Sequence, residues 1–387
     1  MFVRFDRHNN MLKFASILIA VVLCLGTVSV VQAQVRVMPR VDARDPNVRA
    51  VVQIWIDSLE SWRASAASIP VVDRGADVIP GGMSGIVKNW FAQDEEVRQT
   101  FPPTILSAEP QGDAWIVRTM FSHINTATGD IYPLGILRTR LERRQGGTVI
   151  VDPLLTSTVQ WSRTRIGSFV YVHEPDRAID EARAREANAF LAVVAHEFNE
   201  EVPDSVIYYV VPDRDALCSI LGVEFYAAPP TAISYPASAI IVSGTNSEWN
   251  PHEIVHVVLA RYESAVPVIR EGIATYMGGS LGKPFDVLLE EYLATHAPEK
   301  TPSLRQLFER ATQEEQYVLG AALCKAVYER QGRDGLVTLL TASTPLRAMD
   351  HIARILGIGK EARDAPLHQI ISDVNATQKN SVRSGLR

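Results

Sequence analysis

Beyond residue 33 the chain has no apolar run long enough to cross a membrane, no surplus of positive charge and only two cysteines, Cys218 and Cys324. The first absence leaves no candidate membrane span in the body of the protein. The second, a formal net charge of −6 over 387 residues, argues against a nucleic-acid partner, because phosphate binding needs a basic face. The third leaves one possible disulfide; two cysteines on apolar helical faces are as readily explained by burial as by a bridge. What is present, 47% hydrophobic and 21% charged residues, is the make-up of an ordinary globular protein long enough for two domains.

The first 33 residues differ from the rest. Arg4, Arg7 and Lys13 precede the 18-residue apolar run FASILIAVVLCLGTVSVV, which ends at small residues Val31 and Ala33. This reads as a secretory signal cleaved before Gln34, so the protein is expected to be exported and extracytoplasmic; retained, the same run would be a membrane anchor. Cleavage removes three basic residues against Asp6 alone, so the mature chain is more acidic than the whole. Cys24 follows a leucine in this run, a poor match to a lipid-attachment site.

The expected class is α+β. In residues 34–165 an amphipathic helix, with apolar Val48, Val51, Val52, Ile54, Trp55 and Leu59, is followed by a Gly/Pro-rich stretch and four strand-like runs, a small α+β domain. Helix followed by meander resembles the cystatin-like and nuclear-transport-factor-2-like folds by layout. In residues 166–373 strands alternate with helices up to the run SAIIVSG at 238–244, and helices follow; this predicts a mixed α/β lobe carrying a helical lobe. The tail 374–387 lacks apolar periodicity and is expected to be disordered.

The chemistry concentrates in NPHEIVHVVLARY, residues 250–262. On a helix His252 and His256 share a face, and Glu253 sits about 100° round from His252. Two neutral imidazoles at that spacing suit zinc, and an adjoining carboxylate suits a water activated by it. The competing reading is structural: Asn250 is a good N-cap, Pro251 suits the first helical position, and Glu253 completes the spacing of a capping box. With nine histidines in the chain, the motif arises by chance in roughly one such chain in a hundred, so its surroundings decide. Downstream, in VPVIREGIATYMGG, Glu271 opens a second apolar-periodic helix that a short loop can return beside the first. His252, His256 and Glu271 then supply the three protein ligands of an open zinc site. Glu263, Glu290 and Glu291 are the competing third ligands; on a continued helix Glu263 lies about 16 Å along the axis from His252.

HExxH followed by P-x-x-x-E-G-x-A-x-Y resembles the gluzincin metallopeptidases, the thermolysin-like clan, over about residues 238–332. The resemblance implies zinc on His252, His256 and Glu271, Glu253 as general base, and a peptide or protein substrate. It also implies that the 238–244 run is the edge strand along which a peptide lies, and that Tyr317 donates to the transition-state oxyanion. Ile269 and Arg270 stand where a bulky aromatic commonly precedes the Glu-Gly pair. His173, His196, His296, His351 and His368 are isolated and read as surface or satisfied core residues. The alternative from another class is a non-catalytic extracytoplasmic binding or scaffold protein with an inert or structural zinc site.

Overall fold

The computed structural model describes residues 35–64, 95–145, 147–359, 363–364 and 367–372; the leader 1–33 and the tail 374–387 lie outside the described residues. The protein is α+β, with two mixed sheets followed by a helical C-terminal region.

The first sheet is built by β1 (Arg36–Val37), β2 (Pro103–Gln111), β3 (Ala114–Ile124), β4 (Ile131–Arg144) and β5 (Gly147–Val151) in that order, an antiparallel meander with β1 added parallel to β2. Its strands alternate buried and half-buried positions, the period-2 pattern of a sheet covered more on one face than the other. Helix α1 (Pro46–Ala64) lays Val48, Val51, Val52, Trp55 and Leu59 on that covered face. Trp55 is fully buried and its indole Nε1 donates to Thr119 Oγ1 on β3 at 2.7 Å, which fixes the helix as well as burying it. A short helix, α2 (Glu95–Thr100), leads into β2, and another, α3 (Pro153–Ser157), leaves β5.

The second sheet contains β6 (Ser162–Ile166), β7 (Phe169–His173), β8 (Val206–Val210), β10 (Ala232–Tyr235) and β11 (Ile240–Ser243), in the order β10-β11-β8-β7-β6. The three inner strands are parallel and the two edges antiparallel. Helix α4 (Glu181–Phe198) crosses between β7 and β8, and α5 (Arg214–Ile220) follows β8. Alternation along the inner strands serves two cores: Tyr171, Tyr208 and Ile241 face the helices, whereas Val172, Tyr209 and Val242 face the core shared with the first sheet. Between α5 and β10 the chain forms β9 (Val223–Tyr226), which joins the first sheet by pairing with β4, Gly135 opposite Tyr226.

One expectation is corrected here. The 238–244 run forms β11, which lies between β10 and β8 with all four strand residues buried, so it is a core strand; the edge is β10. Continuous burial, IIVS with no polar alternation, is what a strand covered on both faces and flanked on both sides requires.

The helical region comprises α6 (Pro251–Val258), α7 (Pro267–Gly278), α8 (Phe285–Thr295), α9 (Leu304–Arg310), α10 (Gln313–Leu340, with Gly332 at φ 59° interrupting its helical backbone) and α11 (Pro345–Leu356). Its apolar faces and α4 merge into one core. Cys324 on α10 and Cys218 on α5 are both buried free thiols, so burial is the outcome of the two possibilities the sequence left open.

Candidate metal centre

The segment entering α6 is pinned before the helix begins. Glu248, with its side chain 2% exposed, accepts from Arg177 Nη1 at 2.6 Å and from the Asp180 backbone N–H at 2.9 Å, tying it to the start of α4. The hydroxyls of Tyr208 and Tyr171 donate to the Ser247 and Glu248 carbonyls. Asn250 then caps α6 by accepting from the Glu253 N–H, and Pro251 takes the first turn. After α6 the chain turns through a 3-10 segment at Ala260–Tyr262 and returns as α7. The helices run antiparallel, because the end of α7 meets the start of α6: a Cβ on Gly278 would lie 2.6 Å from His252 N. Only glycine permits that approach.

This hairpin brings His252, His256 and Glu271 together. His252 Nε2 lies 3.2 Å from His256 Nε2 and 3.2 Å from Glu271 Oε2, and His256 Nε2 lies 3.3 Å from the same oxygen. Four ligands held tetrahedrally about 2.0 Å from a zinc ion stand about 3.3 Å from one another, so the three donor atoms already have the spacing of three corners of that tetrahedron. Two imidazoles and one carboxylate are also a donor set zinc accepts. Among the described residues no fourth His, Cys, Asp or Glu joins the group. The Nδ1 of His252 donates to the Gly279 carbonyl at 2.9 Å, so when the ring is neutral its lone pair is on Nε2, the nitrogen facing the cluster.

The electrostatics favour a positive charge at this point. Burial pushes the Glu271 carboxyl upward, but the His256 and His252 imidazoles outweigh it and hold the group well below the usual carboxylate range. Burial acts against the charged form of His252, yet the hydrogen bond it donates to Glu271 and the charges of Glu253 and Glu271 raise it. The two histidines are 7% and 9% exposed, so these interactions are little screened by solvent. Glu271 is in the second turn of α7, too far along for the helix N-terminus to explain its placement.

Glu253 contributes its backbone N–H to the Asn250 cap, but its carboxylate does not return the bond that a capping box requires. Glu253 follows His252 directly on α6 and is not one of the three grouped residues; its charge raises both His252 and Tyr317. Tyr317, on α10, stacks on the His252 ring at 5.2 Å between centroids and 22° between planes. Burial, then the charges of Glu271 and Glu253, push its phenol far up, so it stays a protonated donor. The close crossing that sets this stack is glycine on glycine: a Cβ on Gly272 would meet the Gly320 backbone at 2.5 Å. Gly272 therefore serves the packing of α7 on α10, whereas the small residue at the α6 contact is Gly278.

The competing ligands are elsewhere occupied or outside the cluster. Glu291 pairs with Lys283 at 2.7 Å, Glu263 offers its backbone carbonyl to Arg270, and neither they nor Glu290 joins the metal-binding group. His173 is a satisfied core residue, bonded to Thr164 Oγ1 and the Glu174 carbonyl. His296 stacks on Tyr292 and bonds its carbonyl. The sequence gives no sign of the Gly279 carbonyl as a partner of His252, since a backbone acceptor leaves no side-chain signature; the Gly278–Gly279 pair after α7 is the one visible trace.

No protein-family model matches the chain and a search of curated proteins finds no match, so function is read from the site itself.

Proposed function

We propose that the protein is an exported zinc-dependent metallopeptidase acting on peptide or protein substrates. The observation that carries this reading is the triangle of donor atoms, 3.2–3.3 Å on each side, on a helix where Glu253 directly follows the first histidine. His252, His256 and Glu271 would hold the zinc, which supplies an acidified water and positive charge for a polarised carbonyl oxygen. Glu253 takes a proton at its carboxylate as water attacks the substrate carbonyl, and gives it to the nitrogen of the leaving amine. Tyr317, kept protonated by burial and by the charge of Glu271, to which it is hydrogen-bonded here, would turn from that carboxylate to donate to the oxyanion that develops in the transition state. The open side of β10 offers backbone groups to an extended chain. Pro236, directly after β10, lines a small cavity together with His256 and Arg270.

The test is elemental analysis of the mature protein followed by its action on an unbiased peptide pool. One zinc per chain with cleavage supports the reading, and Glu253→Gln should keep the zinc while losing the cleavage. Zinc without cleavage by the wild-type chain would instead select the binding or scaffold alternative.

A further inference from the structure

The third ligand of the triad has two oxygens, and only Oε2 faces the histidines. The other, Oε1, is met by Arg270 Nε at 3.3 Å, while Arg270 Nη1 donates to the Glu263 carbonyl at 3.0 Å. Successive residues on a helix point about 100° apart and do not ordinarily face each other. Arg270 and Glu271 are both on α7, so their contact requires the arginine to be drawn across the helix surface. The anchor that draws it is the Glu263 carbonyl, in the turn between the two metal-binding helices. The guanidinium is thus strung between the turn and the carboxylate, and it is only partly exposed, 29% for the side chain.

We infer that Arg270 is a positioning residue that holds Glu271 as a one-oxygen ligand and thereby keeps the fourth coordination position free. This rests on the metal-centre reading above. A carboxylate can bind zinc through one oxygen or two; engaging Oε1 with a rigid, permanently charged fork disfavours the second mode. A two-oxygen Glu271 would crowd the position that catalysis needs open. Arg270 also adds a cation beside the ion, so its benefit is orientation rather than attraction. Aromatic or aliphatic side chains at this position would bury the turn equally well but could not hold Oε1.

The experiment uses the full mature chain, Arg270→Met to remove the guanidinium at similar volume, and Arg270→Lys to restore a cation. Zinc affinity is measured by competition with a chelator, and the visible spectrum of the cobalt(II)-loaded protein reports coordination number, strong bands marking four-coordination. Arg270→Met is expected to bind zinc about 10- to 100-fold more weakly and to show weakened cobalt bands. The far-UV circular dichroism of the metal-free protein should stay unchanged, showing that the variant still folds. Arg270→Lys, able to reach Oε1 but not to fork, should recover at least half of the loss on a logarithmic scale. Wild-type affinity and spectrum in Arg270→Met would overturn the inference alone, as would a folded Arg270→Lys with no recovery. A wild-type chain with no affinity for zinc overturns the metal-centre reading and this inference together.

Discussion

Two carboxylates withdrawn from solvent, Glu271 with 14% side-chain exposure and the buried Asp152, show what desolvation does with and without partners. Asp152 is 3% exposed and caps α3 by accepting from the Leu154 N–H at 2.9 Å, but its Oδ2 has no hydrogen-bond partner among the described residues. Desolvation dominates, and its carboxyl is raised above the ordinary range. The nearby hydroxyl of Tyr235, at the end of β10, is buried without a partner as well. Glu271 is desolvated too and moves the other way, because the His256 and His252 imidazoles face it. Burial makes a carboxylate costly; the groups converging on it decide whether it is a site.

The sharpest way to break this contrast is to take a partner from Glu271. His256→Ala should reduce zinc affinity by more than about 10²-fold, beyond the usual effect of an outer partner, and bring hydrolysis to background; chelator competition and a peptide assay check both. Next in size, Glu253→Gln should lower the rate by at least about 10²-fold with zinc content unchanged, which separates the base from the ligands it adjoins.

A third change tests whether packing sustains the cluster. A Cβ at position 320 would lie 2.5 Å from the Val268 carbonyl oxygen. Gly320→Ala should therefore cost about 1–3 kcal/mol in urea denaturation, and should lower activity by displacing Tyr317 from His252. The smallest effect is expected at the other carboxylate. The folded state holds the Asp152 proton to higher pH than the unfolded chain does. Its stability contribution is therefore fully present below the ordinary Asp value of 3.8 and is lost as pH rises through the raised one. Asparagine keeps the cap and cannot ionise. Asp152→Asn should raise the melting temperature by about 2 °C at neutral pH, with the gain vanishing near pH 3.

The helix hairpin and its three converging side chains were legible because their information is local: i, i+4 spacing, a prolyl first turn on each helix, and a glutamate after a short loop. The meander was legible for the same reason, through period-2 runs between QGD and TATGD turns. What was not legible is long-range. The edge position of β10 depends on which strands β11 pairs with, and AISY, half-buried and short, carries no stronger strand signal than its neighbours. Likewise Gly272 reads from the sequence as a small residue that lets α7 pack close to α6, whereas in the assembled core it meets Gly320. Arg270 stands out in the sequence only as a charged residue next to Glu271, and its task depends on where the Glu263 carbonyl ends up.

The pairing of β9 with β4 sets an order of events for a chain made from one end. Gly135, Ile136 and Leu137 exist well before their partners Tyr226, Phe225 and Val223 are synthesised, since β6, β7, α4, β8 and α5 lie between. Whenever the first sheet forms ahead of the 223–226 segment, a stretch of β4 carries unpaired N–H and C=O groups. The first sheet is consequently a template waiting for its last strand, and whatever delays arrival of the 223–226 segment prolongs the time in which a foreign strand can take its place.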